Sequence, residues 1–181
     1  MNYEDSIIIV KSDLTEITLK EWQKEYGLSG TQIGKHYSYM ERTFRRNIED
    51  YGSLVVYADL MRVLDAYREI SGKPCRVASF NRSEAKQEDL RRRGYKAAKT
   101  SPHVAKMAAD VDLLTEAEVR EAVAHMHMAA AQTGVKCRFG WRTYLPKQTF
   151  VHLDVCPEYY GKGGLLSHTP HPKVWEAEIE W

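Results

Sequence analysis

Apolar residues recur along the chain with two distinct periods. Val56, Leu60, Val63, Leu64, Tyr67 and Ile70 fall at three- and four-residue steps, the spacing of one helical face, and Gly72 supplies a left-handed stop. Thr115 and Glu118 form a capping box ahead of a second stripe, Val119, Val123, Met126 and Ala130, which Gly134 ends. Shorter helices are predicted over Thr18 to Tyr26, Tyr39 to Tyr51 and Ser83 to about Arg93, the first two separated by Gly27, Gly30 and Gly34. Strands are predicted at Cys75 to Ser79, at Ala108 to Leu114, which is apolar apart from two aspartates, and at Val135 to Trp141 and Thr149 to Cys156. A loop containing Pro146 joins the last two, as it would an antiparallel pair.

Helices first and strands later, with no strict β-α-β alternation, predict an α+β domain built on a small antiparallel sheet with helices packed on it. Residues 1–50 read as an N-terminal helical extension packed on the core and residues 51–156 as the core itself. Residues 157–181 read as an irregular surface segment, punctuated by Gly161, Gly163, Gly164, Pro170 and Pro172. The chain carries no internal repeat and no low-complexity tract.

Composition narrows the function. A chain of 181 residues buries roughly 70% of its unfolded surface, so a metal site here would serve function rather than mere folding. With 26 basic against 25 acidic side chains the net charge is +1, which excludes the broad phosphate attraction of a dedicated nucleic-acid binder. The one dense basic run, Arg91, Arg92, Arg93, Lys96 and Lys99, is read as a solvated helix face. No apolar run approaches the roughly 20 residues of a membrane span. The short run Ile7 to Val10 follows Glu4 and Asp5 and precedes no small-residue cleavage site, so no secretory signal peptide is expected. Cys75, Cys137 and Cys156 never form a C-x-x-C pair; they read as buried free thiols.

The chemistry concentrates in two stretches, Ser101-Pro-His103-Val-Ala-Lys106-Met-Ala-Ala-Asp110-Val-Asp112 and Phe150-Val-His152-Leu-Asp154. In the first, a loop histidine precedes an aspartate that opens a buried strand, so the two converge from loop and strand. In the second, residues two apart on a strand share a face, which puts His152 beside Asp154. Two imidazoles and one carboxylate leave zinc a fourth position for water, a catalytic rather than a structural pattern. Burying Asp110 and Asp112 on one face is costly unless a cation or donors compensate. His125 and His127 do not share a helical face and are read as structural. His168 and His171 are lesser candidates, with a solvent-exposed tail as their alternative. Tyr159, Tyr160 and Trp175 are read as packing, while Tyr144, in the loop between the last two strands, is within reach of a substrate.

Ser-x-His-x-x-x-x-Ala-x-Asp, followed tens of residues later by Val-His-x-Asp, resembles the zinc peptidases of the M15 type, the D-alanyl-D-alanine carboxypeptidase and peptidoglycan endopeptidase group that shares its fold with the Hedgehog signalling domain. The upstream Arg76-Val-Ala-Ser79-Phe-Asn-Arg82-Ser83 is similar to that family's strand and arginine turn, and the resemblance runs from about Leu54 to Val155. It implies zinc held by His103, Asp110 and His152, and Arg82 lining the cleft to hold a substrate carboxylate or carbonyl. It implies a peptidoglycan peptide as partner, with Ser101 and Tyr144 beside Arg82 as substrate-binding candidates. Asp112 is a candidate to orient a ligand imidazole.

Two positions depart from the family. Lys106 stands where glycine is usual, which implies either a different loop path or a cationic lip. Thr149 stands where many members carry an acidic general base three residues before the second histidine, so Asp154 becomes the first candidate for base or for orienting partner. The implied activity is hydrolysis of amide bonds in peptidoglycan stem peptides, of carboxypeptidase or endopeptidase type. A silent zinc- or peptidoglycan-binding module of the same fold is the alternative. The missing signal peptide suggests a phage lysin or prophage product that reaches the wall through another protein's pore.

Overall fold

The capping box read at Thr115 forms, and a second one stands at Thr18. Thr18 accepts from the Glu21 amide and starts α1 (Leu19–Tyr26), and Thr115 does the same with Glu118 at the head of α5 (Glu116–Thr133). The computed structural model describes residues 3–95, 97, 101–142, 144–159 and 179–180. Lys96, Lys99, Tyr160, Gly161, Gly163, Gly164, His168, Pro170, His171, Pro172 and Trp175 lie outside the described residues.

The first third is not purely helical. β1 (Ile7–Val10) pairs antiparallel with β2 (Glu16–Thr18) and parallel with β3 (Leu54–Tyr57), giving a three-stranded sheet of order β2-β1-β3. A continuous apolar run such as Ile-Ile-Ile-Val carries no period to separate strand from helix, and its partner lies far along the chain. Val56 therefore belongs to β3 rather than to the helix it was grouped with. α2 (Arg42–Tyr51) precedes β3, and α3 (Ala58–Ser71) begins only after it, ending at Gly72 in the left-handed region.

The remaining strands form one antiparallel sheet, β4 (Arg76–Ser79), β5 (Ala108–Asp112), β6 (Arg138–Gly140), β7 (Phe150–Asp154) and β8 (Ile179–Glu180), in the order β4-β5-β7-β6-β8. The fold is α+β, as the element pattern predicts. α4 (Glu84–Arg92) follows the β4 turn, with the Ser83 hydroxyl accepting from the Lys86 amide. α6 (Cys156–Tyr159) and β8 lend regular structure to both described ends of the segment predicted to be irregular.

Alternation sorts the large sheet into two faces. Val77, Ala109, Val111, Phe139, Val151 and Leu153 are all buried in the core, to which α3 and α5 contribute their apolar faces. α5 buries Val119, Ala122, Val123, Met126 and Ala129; Ala130 is only partly covered. The opposite face carries Arg76, Asp110, Asp112, Arg138, His152 and Asp154, so every polar group in the central strands points one way.

The N-terminal sheet is locked to this one through Asn81. Its side-chain amide accepts from the Val55 amide at 2.8 Å and donates to the Val55 carbonyl at 2.9 Å. The buried Asn47 amide pairs in turn with the Asn81 backbone, accepting at 3.0 Å and donating at 3.2 Å. Buried amides pay a desolvation penalty unless paired, and here both are paired twice. The turn that follows β4 is therefore fixed from two sides.

Candidate metal centre

Register places the candidate residues in one row across the sheet. Ser79, Asp110, His152 and Gly140 stand opposite one another on four successive strands. A β-bulge between Val77 and Ser79 is what brings Ser79 onto this face; in an unbroken strand it would point into the core. His103 reaches the row from the tight loop between α4 and β5. That loop is held by Ser101, whose hydroxyl accepts from the His103 amide at 3.3 Å and whose carbonyl accepts from the Val104 and Ala105 amides.

One oxygen of Asp110 lies 3.0 Å from His103 Nε2 and 2.9 Å from His152 Nδ1. Both imidazoles are buried, at 3% and 6% exposure. Each ring is oriented from behind. His103 Nδ1 donates to the Phe80 carbonyl at 2.6 Å, and His152 Nε2 faces an Asp154 oxygen at 3.4 Å. A carbonyl and a carboxylate only accept, so each outer nitrogen carries a hydrogen. When neutral, both rings therefore aim a lone pair at the Asp110 carboxylate. Three acceptors then converge on one point, which a bound cation or an added proton relieves.

Titration follows from this geometry. Burial pushes His103 below the usual imidazole range, against the pull of Asp110. Burial acts the same way on His152, but its hydrogen bonds to Asp110 and Asp154 outweigh it, and this ring is pushed up to about 9. For Asp110 burial favours the neutral acid, yet the two imidazoles hold the carboxyl well below the usual carboxylate range. Without a metal, the cluster thus keeps one proton on His152.

The donor set fits zinc. His103, Asp110 and His152 each offer one ligand atom, all within 4.8 Å of one another, and no other such group occurs among the described residues. Two nitrogens and one oxygen are borderline-hard donors suited to that ion, and both histidines have the outer hydrogen-bond partners such ligands need.

Arg82 flanks the cluster. Its Nη2 donates to Ser79 Oγ at 3.0 Å and sits 3.7 Å from Asp110, while Nη1 donates to Gln87 at 2.7 Å. The Arg82 amide donates to the His103 carbonyl, which ties arginine turn and histidine loop together. Lys106 completes this tie. Its φ of 67° lies in the left-handed region that glycine adopts freely, so the loop follows a glycine-type path with a lysine on it. Its ammonium donates to the Arg82 carbonyl at 2.9 Å and lies 5.7 Å from the centre of the Tyr51 ring. Lys106 is a strap between two loops.

Asp154 is fully engaged. It receives Arg138 Nε on both oxygens at 3.0 Å and the Cys156 amide at 3.0 Å, in addition to facing His152. Burial would raise its pKa, but His152 and Arg138 hold it below the usual carboxylate range. Thr149 donates its hydroxyl to the Leu113 carbonyl at 2.8 Å, clamping β5 to β7. Asp112 pairs with Arg76 at 3.5 Å, two residues along the strand from Asp110, and the Tyr144 ring lies 4.2 Å from that of Phe150. His127 packs on Phe139, away from the cluster.

The sequence assigns no role to Arg138, Gln87 or the Phe80 carbonyl, and Ser79 figures only as part of the arginine-turn motif. Arg138 leaves a trace as an arginine inside a predicted strand. No family model and no curated protein matches the chain. Among solved structures it is similar to the Serratia marcescens L-Ala D-Glu endopeptidase ChiX, with 22% identity, 67% of this chain and 91% of that one covered, and a TM-score of 0.49.

Proposed function

We propose that this chain is a zinc-dependent peptidase that hydrolyses amide bonds in peptidoglycan stem peptides, of carboxypeptidase or endopeptidase type. The observation that carries the reading is the convergence of His103 Nε2 and His152 Nδ1 on one Asp110 oxygen, with both outer nitrogens committed elsewhere. The substrate class is supported by the resemblance of the Ser101–Asp110 and Val151–Asp154 stretches to the M15-type peptidases.

In this reading His103, Asp110 and His152 hold the zinc. Bound there, zinc supplies Lewis-acid activation of water and polarisation of an amide carbonyl. Arg82, held by Ser79 and Gln87, offers its guanidinium to the substrate carbonyl or carboxylate. Asp154 is a positioning residue: its oxygens are taken up by Arg138 and Cys156, and it fixes the His152 tautomer rather than taking a substrate proton. Ser101 shapes the histidine loop.

Thr149 favours a second reading, a silent zinc- or peptidoglycan-binding module, because no acid stands at that position and its hydroxyl is spent on Leu113. Digestion of purified peptidoglycan followed by mass spectrometry separates the two. New amine ends identify a peptidase and name its bond; binding without new ends identifies the silent module.

A further inference from the structure

The row beside the metal-ligand row differs from its neighbours in exposure. On one side of Asp110 and His152 stand Asp154 and Arg138, whose side chains are 3% and 4% exposed. On the other side stand Arg76, Asp112 and Phe150, directly opposite one another on β4, β5 and β7. Here the exposure is 74% for Arg76 and 41% for Asp112, against 15% for Asp110. The polar face is thus closed on one flank and open on the other, which makes the Arg76–Asp112 row the exposed neighbour of the cluster along the strands.

That row has a definite chemistry. Arg76 and Asp112 lie 3.5 Å apart and present a guanidinium and a carboxylate side by side. Phe150 adjoins Asp112 across the strand pair, and the Tyr144 ring leans on Phe150 at 4.2 Å and 33°. Two strand residues separate the row from the cluster, about 7 Å, which is the span of two residues of an extended peptide.

We propose that Arg76, Asp112, Phe150 and Tyr144 form a substrate subsite for a residue two positions from the scissile bond whose side chain ends in an ammonium and a carboxylate on one carbon. A zwitterionic head matches the two charges of the pair in reverse order, and the aromatic ledge receives the methylene stem that carries it. A diamino acid such as diaminopimelate has this form; lysine, with an ammonium alone, satisfies only Asp112. The inference rests on the peptidase reading and narrows its substrate.

The test uses the zinc-loaded full chain and three synthetic stem peptides that differ only in the diamino residue: diaminopimelate, its form with the far carboxylate amidated, and lysine. Both kcat/KM and calorimetric affinity are measured. Wild type is expected to prefer the diaminopimelate peptide about threefold over either of the others, most of it in KM, as the one partly exposed charge pair that differs between them, carboxylate to Arg76, allows. Arg76→Gln is expected to erase the discrimination against the amidated peptide, with metal content unchanged, and Asp112→Asn to weaken all three peptides alike. Equal handling of the three peptides by wild type, or variants that keep the wild-type preference, overturns the subsite. If no peptide is cut, the peptidase reading fails, and the affinities alone then decide the subsite: a preserved preference upholds it and equal affinities end it.

Discussion

Metal uptake by this site should cost one proton, and the proton belongs to His152. Its two hydrogen-bonding carboxylates push the metal-free ring up to about 9, while burial keeps His103 neutral at the same pH. A metal needs the Nδ1 lone pair, so below about pH 9 the apparent affinity should fall tenfold for each unit of acidification, about 1.4 kcal/mol per unit. From about pH 8 to about pH 6 the loss is about 100-fold. Competition against a chromophoric chelator of known pH dependence reads this directly as a slope of one, and calorimetry in buffers of different ionisation enthalpy should count about one proton released near pH 7.

The same shift fixes how the metal-free protein responds to pH. The folded pKa of His152 is raised above the unfolded value of 6.5, so its contribution is fully present below 6.5 and is lost as pH rises through about 9. Over that window the loss amounts to about 3 kcal/mol. His103 is shifted the other way, and its effect is confined to pH below 6.5. Chemical denaturation of the metal-free protein should therefore show stability falling between those limits. A flat affinity profile, or stability that rises over the same window, would refute the tautomers and the shared Asp110 oxygen from which the argument starts.

Four substitutions at three positions probe the supports of the site. Lys106→Gly relieves a left-handed backbone worth about 1 kcal/mol but gives up the bond to the Arg82 carbonyl, worth about the same, so it should melt close to wild type; Lys106→Ala keeps the strain, loses the bond and should be the less stable of the two by about 1 kcal/mol in urea titration. Asn47→Leu strands the Asn81 amide and carbonyl and should cost about 2 to 3 kcal/mol by the same assay. Asp154→Asn leaves the buried Arg138 without its carboxylate and should cost about 3 to 5 kcal/mol, while lowering the His152 pKa so that the affinity slope flattens at a lower pH.

Local features of this fold are legible in the sequence, and pairings across the chain are not. Thr115 with Glu118 and the stripe ending at Gly72 announce themselves because capping and helical periodicity act within a few residues. β1 and β3 do not, since four apolar residues have no readable period and their parallel pairing joins distant segments. The same division holds at the site. His103, Asp110 and His152 are singled out by loop and strand spacing together with the resemblance to the M15-type peptidases, and the fold brings their ligand atoms within 4.8 Å of one another. The role of Asp154 is hidden until register sets Arg138 opposite it, and the Phe80 carbonyl that fixes His103 carries no side-chain signature at all. Lys106 shows the limit of pattern matching: a departure from glycine reads as a changed loop path, yet the backbone keeps a glycine-like φ and gains a strap.

In the proposed function His103, Asp110 and His152 together hold a single zinc ion. Elemental mass spectrometry of the purified chain beside its His103→Ala variant tests it most directly. The account predicts about one zinc per chain in the wild type and none in a variant that remains folded by circular dichroism. Equal metal content in the two proteins, or a wild type that takes up no zinc from a buffered excess, would contradict it.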